Sequence, residues 1–293
     1  MSLDGLPTES RAAVRDLVDR LASLDGVVAV VLGGSHARGR ARPDSDVDLG
    51  LLYAEDRPPS IDAIRVLARE VDDSGAPVVT GFYEWGPWVN GGAWLTAKGR
   101  RLDLLYRSLE HLERAVADAQ AGRYEIHWPQ QPPFGFWSGT YLGELAVCVP
   151  LFVRDGRLLA LKQRVSVYPD ALRDAVVRDQ LWQVEFGLEA FARKLAARGD
   201  VYGVAGCLAR FASQLVLALF AHNRTWLVND KTALAEIEGF AEAPRDFGTR
   251  LEALLARPGA SAGALTASVQ ALAQLFRETA VLCAGSRVRS PLP

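Results

Sequence analysis

The stretch from Val27 to Tyr53 reads VVAVVLGGSHARGRARPDSDVDLGLLY, and it decides the fold. Its first six residues form a continuous, largely β-branched run, which predicts a strand buried on both faces of a sheet. Gly33 and Gly34 then break the strand, because glycine adopts turn conformations that other residues avoid. After a polar stretch, the residues from Asp46 to Tyr53 predict a second strand. Two strands joined through a glycine-rich turn indicate an α/β unit.

The glycine turn and the second strand together point to phosphate chemistry. Glycine lets backbone N–H groups approach a triphosphate with no side chain in the way, and Ser35 adds a hydroxyl donor. Because side chains alternate along a strand, Asp46 and Asp48 lie on one face while Val47 and Leu49 point to the core. Two adjacent carboxylates repel each other unless a cation lies between them. Hard oxygen ligands beside a phosphate-binding turn suit Mg²⁺.

A third carboxylate stands in a later apolar segment, Arg101 to Tyr106. Asp103 is its only acidic residue, and a buried carboxylate is costly unless it is paired or ligates a metal. Three carboxylates on adjacent strands can hold two metal ions about 3.5–4 Å apart, the arrangement used for in-line attack on phosphorus. The alternation of aspartates from Asp44 to Asp48 also resembles the start of a calcium loop. That alternative lacks the glycine and the glutamate that such a loop requires at later positions.

The rest of the chain divides into a mixed first part and a helical second part. We expect an α/β (α+β) core with a mixed sheet over residues 1–123 and an all-α helical-bundle domain over residues 124–293. Residues 124–140, which are rich in proline, glycine and aromatic residues, are interpreted as the connection. The predicted helices lie at residues 14–24, 61–71, 171–198, 200–223 and 264–283, and further strands are predicted at 78–83, 94–96 and 101–106.

These residues resemble the DNA polymerase beta nucleotidyltransferase superfamily, which has a Gly-Ser pair, a spacer, Asp-x-Asp and a third acid on a later strand. A compact core followed by helices is similar to the antibiotic nucleotidyltransferases, such as the kanamycin, lincosamide and streptomycin enzymes. The specific resemblance covers residues 27–53 and 100–107. It implies that Asp46 and Asp48 ligate both of two Mg²⁺ ions. It also implies that Asp103 ligates the catalytic ion and can accept the acceptor's proton, and that Gly34-Ser35 bind the triphosphate.

The expected function is therefore a Mg²⁺-dependent transfer of AMP from ATP to a hydroxyl of a small molecule, antibiotic-like or sugar-like, with release of pyrophosphate. Two alternatives stay open. The same chemistry can modify a protein side chain or an RNA end, as in antitoxin-type or RNA-tailing relatives. A non-catalytic nucleotide-binding module is the other alternative, and it predicts the loss of at least one of the three carboxylates.

Four further residues are weaker candidates. Arg38 in the glycine turn and Lys231 in an inter-helix turn are predicted to bind the triphosphate, although loop cations are often only solvated. Trp182 and Glu185 share one helix face and would suit a cationic, sugar-like acceptor. The alternative is an ordinary exposed face with Trp182 packed beneath it. A tryptophan cluster either lines the acceptor pocket or packs over the sheet edge: Trp85, Trp88 and Trp94.

The composition narrows the partners and the compartment. Lys+Arg number 33 against 35 Asp+Glu, so charge-driven nucleic-acid binding is not expected. The three cysteines, Cys148, Cys207 and Cys283, are widely spaced in apolar segments, which predicts reduced core residues in a cytoplasmic protein. The N-terminus lacks the pattern of a signal peptide. No uninterrupted apolar run approaches the roughly 18 residues of a membrane span, so we expect no membrane partner.

Overall fold

The computed structural model describes residue 3 and residues 8–284, which form two compact units. The first unit comprises the described residues up to Ala117 together with Glu125–Val167. The second comprises Asp118–Tyr124 and the described residues from Tyr168 onward. This division differs from the predicted boundary between residues 123 and 124, because Glu125–Val167 group with the sheet and not with the helices.

A six-stranded mixed sheet forms the centre of the first unit, as the sequence predicts. Its strands run in the spatial order β3-β4-β5-β2-β1-β8. The central β2–β5 pair is parallel and the other pairs are antiparallel. The strands are β1 Val27–Leu32, β2 Val47–Tyr53, β3 Val78–Val79, β4 Gly92–Ala97, β5 Arg100–Ser108 and β8 Val149–Val153, with a separate hairpin of β6 Ile126–His127 and β7 Phe136–Trp137. The helices of this part are α1 Thr8–Ser23, α2 Gly34–Ala37, α3 Ile61–Val71, α4 Leu109–Gln120, α5 Gly139–Val147 and α6 Arg157–Arg164.

One face of the sheet is filled by α1 and α3. Every residue of β1 is buried, which confirms the prediction of a strand covered on both sides. The core packed beneath α1 and α3 contains alternate residues of the central strands, including Val47, Leu49, Leu102 and Leu104. The side chains between these positions therefore point to the opposite face of the sheet. The three candidate carboxylates belong to that second set.

Two strand predictions need correction. The strand predicted at residues 78–83 ends at Val79, and the chain then turns through Tyr83, whose φ of 59° is left-handed. Strand β8 lies in the part of the chain predicted to be helical, and it extends the sheet by pairing with β1. Its short sequence, VPLFV, contains Pro150, and a proline is tolerated at a sheet edge because no partner strand needs its missing N–H. The Arg154 guanidinium fixes the strand by donating to the Val27 carbonyl at 2.7 Å.

The second unit is helical, which confirms the predicted fold class. Its helices are α7 Asp170–Gly187, α8 Arg193–Ala197, α9 Val201–His222, α10 Ala233–Ile237, α11 Phe247–Ala256 and α12 Ala262–Ala284. The helix predicted at residues 200–223 begins after Asp200, whose side chain caps it by accepting the Gly203 N–H at 2.9 Å. The sequence did not predict the π-helical turn Leu188–Ala192 between α7 and α8. Single π-helical turns of this kind are rare within α-helices.

Helix α9 is long and apolar enough to cross a membrane by length and composition. Scattered polar residues interrupt the apolar sequence of α9, so it contains no continuous apolar run of that length. In the structure, 67% of the apolar window is buried inside the protein, as in the core helix of a folded domain.

Candidate active site

The glycine turn lies directly against Asp48. The Gly33 N–H donates to the Asp48 carbonyl at 2.8 Å, which holds the turn beside the start of β2. Gly34 has a φ of 57°, and a Cβ at that position would lie 1.7 Å from Oδ2 of Asp48. Only glycine can therefore occupy position 34 without displacing the carboxylate. The turn continues into the one-turn helix α2, whose first residues include Ser35.

Asp48 and Asp103 are direct neighbours on the two central strands. Strands β2 and β5 are parallel, and their register pairs Asp48 with Asp103. Paired residues on neighbouring strands lie about 4.8 Å apart and project to the same face. Both aspartates are half-buried, while Leu49 and Leu104 beside them are buried under the helices. The prediction that the apolar neighbours point to the core is confirmed, and the two carboxylates share the opposite face.

Asp46 is engaged by an arginine that the sequence reasoning did not single out. The Arg101 Nε donates to Asp46 Oδ1 at 2.7 Å in a partly exposed ion pair. Its neighbour Arg100 donates to the carbonyls of Pro43 and Ser45, at 2.5 and 3.2 Å, and so fixes the segment that leads to Asp46. The signal for Arg101 was present in the sequence, because it lies two residues before Asp103 and so faces the same side of β5.

The chemistry of these donors fits Mg²⁺, while their arrangement is only partly assembled. Carboxylate oxygens are the ligands that Mg²⁺ prefers. Among the described residues, however, no group of three or more His, Cys, Asp or Glu side chains is arranged to hold a metal. Asp48 and Asp103 lie side by side, but Asp46 is bound to Arg101. The prediction that the three aspartates bind two metal ions therefore stays a prediction.

His36 lies in the glycine turn and is half-buried. Burial lowers the pKa of His36, and the positive charge of Arg100 lowers it further, while a hydrogen bond with the Ser45 backbone opposes the shift. The imidazole is therefore neutral at neutral pH. Its buried Nε2 finds no hydrogen-bond partner among the residues that the structure describes.

An aromatic ledge stands beside Asp103. Strands β4 and β5 pair Trp94 with Asp103, so the two side chains project from the same face. Trp94 is 47% exposed and stacks on Trp85 with 4.5 Å between ring centroids. Trp88 does not belong to this group, because it is buried against His111 and Phe136. The three tryptophans considered together in the sequence thus fall into two separate sets.

The remaining predicted site residues lie in different parts of the chain. Arg38 ends α2 and belongs to the first unit with Ser35 and the aspartates. The second unit carries Lys231, Trp182 and Glu185, each exposed to solvent. Trp182 is 41% exposed and stacks on Phe186, so it is not packed beneath the helix. The roles proposed for these residues remain predictions.

Two family models match the chain. Residues 14–114, which contain the glycine turn and all three aspartates, match the nucleotidyltransferase domain family. Residues 144–231 match a Domain of unknown function (DUF4037), which includes β8 and continues into the helical unit. No significant match was found among curated proteins.

The crystal structure of a nucleotidyltransferase-like protein from Exiguobacterium sibiricum 255-15 is similar over 94% of this chain and 77% of that chain. The identity is 12% and the TM-score 0.49, and a similarity this distant carries no information about function.

The family match and the geometry concern the same segment. It contains a strand, a glycine turn, the Asp46-x-Asp48 pair and Asp103 on the adjacent strand, and it falls within residues 14–114. The family transfers nucleotides from nucleoside triphosphates, generally with a divalent metal. Residues 14–114 are therefore similar to the nucleotidyltransferase domain family, in agreement with the resemblance of their motifs to the DNA polymerase beta superfamily.

Proposed function

We propose that the protein transfers AMP from ATP to a hydroxyl of a small molecule in a Mg²⁺-dependent reaction that releases pyrophosphate. The observation that carries the proposal is the contact of Gly34 with Asp48, together with the pairing of Asp48 and Asp103, within a nucleotidyltransferase domain. A glycine turn with no side chain in the way lies beside two carboxylates on neighbouring parallel strands. Phosphate oxygens and cations can therefore be bound close together at this edge of the site.

The chain's own groups have separable tasks in this reaction. Backbone N–H groups of the glycine turn and the Ser35 hydroxyl would hold the triphosphate, with Arg38 as a further cation. Asp46, Asp48 and Asp103 would hold the metal, which neutralises phosphate charge and lowers the pKa of the acceptor hydroxyl when bound. Asp103 would accept the hydroxyl proton. The acceptor oxygen then bonds to the α-phosphorus while the bond from that phosphorus to pyrophosphate breaks.

Arg101 would change partners during this cycle. Its guanidinium neutralises Asp46 in the structure described here. Release of Asp46 for metal binding would free Arg101 next to the arriving triphosphate, and arginine matches phosphate oxygens well. The exchange keeps Asp46 paired with a cation before and after nucleotide binding, which limits the repulsion that it exerts on the other two aspartates.

The ledge of Trp94 and Trp85 is the proposed acceptor surface of the first unit. An exposed aromatic ring offers a flat apolar face for a ring of the acceptor. Because Trp94 is the direct neighbour of Asp103, a ring stacked there would bring its hydroxyl close to the proposed proton acceptor. Trp182 and Glu185 remain the acceptor candidates of the helical unit. Trp94→Ala and Trp182→Ala separate the two, since the variant that raises the KM for the acceptor identifies the surface in use.

The activity is tested by incubating the full chain with Mg²⁺, a panel of amino sugars and other hydroxylated small molecules, and each α-labelled nucleoside triphosphate in turn. We expect label from ATP on one class of acceptor and stoichiometric pyrophosphate. The Asp103→Asn protein and a reaction with chelator are the controls. Label that stays on a protein or an RNA would overturn the small-molecule acceptor. Triphosphate binding with no pyrophosphate release in any reaction would indicate a non-catalytic module.

A further inference from the structure

The helical unit contains a second cavity, between α8 and α12, that the proposed reaction does not use. Its volume is about 400 Å³, within the range of small-ligand sites. The floor is apolar and consists of Ala196, Val269 and Ala273. The rim carries three long polar side chains: Arg193, Gln270 and Arg277.

The local sequence explains why space remains between these helices. Ala196 and Ala273 are both buried at the packing face, and their methyl groups cannot fill the gap that larger side chains would occupy. The π-helical turn Leu188–Ala192 directly precedes α8, whose first residue is Arg193. Such turns occur frequently at functional sites.

The charges around the cavity are unbalanced. Arg277 donates to the Gln274 amide oxygen at 2.6 Å, and it makes no ion pair with any carboxylate in the described part of the chain. The adjacent carboxylate, Glu278, is already taken by Arg250, with two hydrogen bonds of 2.6 and 3.0 Å. Arg193 pairs with Glu189 at 2.8 Å, but both side chains are more than half exposed, so the pair is weak.

The excess of positive charge extends along both helices. Helix α8 and the residue after it carry Arg193, Lys194 and Arg198, with no acidic residue among them. Helix α12 adds Arg277 and one acid, the Glu278 that Arg250 holds. A cavity with two guanidinium groups at its rim is therefore electropositive. Its apolar floor would shield the apolar part of a bound ligand from water.

We propose that the cavity between α8 and α12 binds a small organic anion, with a carboxylate or phosphate group on a short apolar body. The guanidinium groups of Arg193 and Arg277 would hold the anionic group, since each offers a planar pair of donors matched to carboxylate and phosphate oxygens. Gln270 adds a neutral donor at the same rim. The apolar body lies on the alanine and valine floor. This site is separate from the carboxylate site of the first unit and does not depend on the function proposed above.

The test is isothermal titration calorimetry on the full chain, without nucleotide or divalent metal, at low ionic strength. Hexanoate and hexyl phosphate carry the two anionic groups on one apolar body, and their comparison decides between carboxylate and phosphate. Inorganic phosphate and hexan-1-ol supply each half alone. We expect at least one hexyl anion to bind about tenfold more tightly than either half, because both parts of the cavity are then used.

Three variants locate the binding. Arg277→Gln removes one of the two guanidinium groups at the rim and should weaken binding of the hexyl anion by about 10- to 100-fold, as expected for a charged hydrogen bond. Ala197→Leu narrows the cavity from an exposed position of its wall and should weaken the hexyl anions without affecting the melting temperature. Lys194→Gln is the matched control, since it removes a neighbouring charge on α8 that does not line the cavity.

The result is clear in either direction. A loss in Arg277→Gln and Ala197→Leu with unchanged binding in Lys194→Gln supports the proposal. Absence of binding by both hexyl anions would overturn it, and so would equal losses in Arg277→Gln and Lys194→Gln. Because no nucleotide is present, a failure here leaves the nucleotidyltransferase activity untouched.

Discussion

Substitution of Gly34 by alanine is the sharpest test of the glycine turn. The added Cβ would lie 1.7 Å from Oδ2 of Asp48 and 2.5 Å from its Cγ, so the carboxylate must move by more than 1 Å. A displacement of that size in a reacting site can reduce a rate by about 100-fold. The left-handed φ of 57° adds about 1–2 kcal/mol of backbone strain in an alanine. We therefore expect Gly34→Ala to lose both stability and nearly all transfer activity.

Two neighbouring glycines separate these effects. Gly39 has a φ of 66° and no atom within 4 Å of an added Cβ, so Gly39→Ala imposes the same strain without the collision. Gly33 has a φ of −115°, and its added Cβ would lie 3.7 Å from the nearest atoms of Asp48, so Gly33→Ala imposes neither. Stability should fall in Gly34→Ala and Gly39→Ala, whereas activity should fall only in Gly34→Ala.

The assay combines three measurements on each variant: the melting temperature, Mg²⁺-dependent triphosphate binding by calorimetry, and pyrophosphate release. All measurements are made at a temperature at which the three variants are folded, so that differences in their stability do not change the measured binding and rates. If Gly34→Ala binds triphosphate and releases pyrophosphate as fast as Gly39→Ala, then the contact between the turn and Asp48 has no part in catalysis. The reasoning for the phosphate-binding turn would then be refuted.

The other predictions concern Asp103, the two arginines near Asp46 and the buried thiol of Cys283. Asp103→Asn should lower the rate of transfer on the order of 10²–10⁴-fold. Its melting temperature should stay the same or rise, because the substitution relieves repulsion with Asp48 on the neighbouring strand. Turnover at the wild-type rate would exclude Asp103 as the base. Arg100→Met removes the hydrogen bonds that fix the segment before Asp46, and it should weaken metal–triphosphate binding about tenfold in calorimetry. Arg101→Met frees Asp46 from its ion pair, and it should therefore strengthen Mg²⁺ binding in the absence of nucleotide. Burial raises the pKa of Cys283 to about 12, so this thiol stays protonated at pH 8. It should react with a thiol reagent much more slowly than the partly exposed Cys207. Equal reaction rates of the two thiols would show that the end of α12 opens readily.

The elements that the sequence predicted well are those whose signal is local. Strand β1 and helix α3 were predicted at their observed bounds, because each is encoded by a run of neighbouring residues with one periodicity. The strands predicted at 94–96 and 101–106 correspond to β4 and β5, and the turn between them lies at Lys98-Gly99, where both residues have positive φ, as a tight hairpin requires. Strand β8 was missed because five residues with a proline at the second position carry no periodicity. Its pairing with β1, more than 100 residues earlier, decides its structure.

In the candidate site too, the residues were predictable from local sequence, whereas the contacts between distant segments were not. Asp46 and Asp48 are recognisable from short spacing, and Asp103 is recognisable because a charge is anomalous in an apolar strand. The ion pair of Asp46 with Arg101 and the ledge of Trp94 with Trp85 depend on strand register, which no local pattern reports. The nucleotide side of the site rests on backbone shape and carboxylates close in sequence, so a sequence can predict it. The acceptor side rests on side chains that distant segments bring together, and the same turn and aspartates can therefore serve different acceptors. Substitution of Trp94, and not of the aspartates, is therefore where we expect acceptor preference to change without loss of nucleotide chemistry.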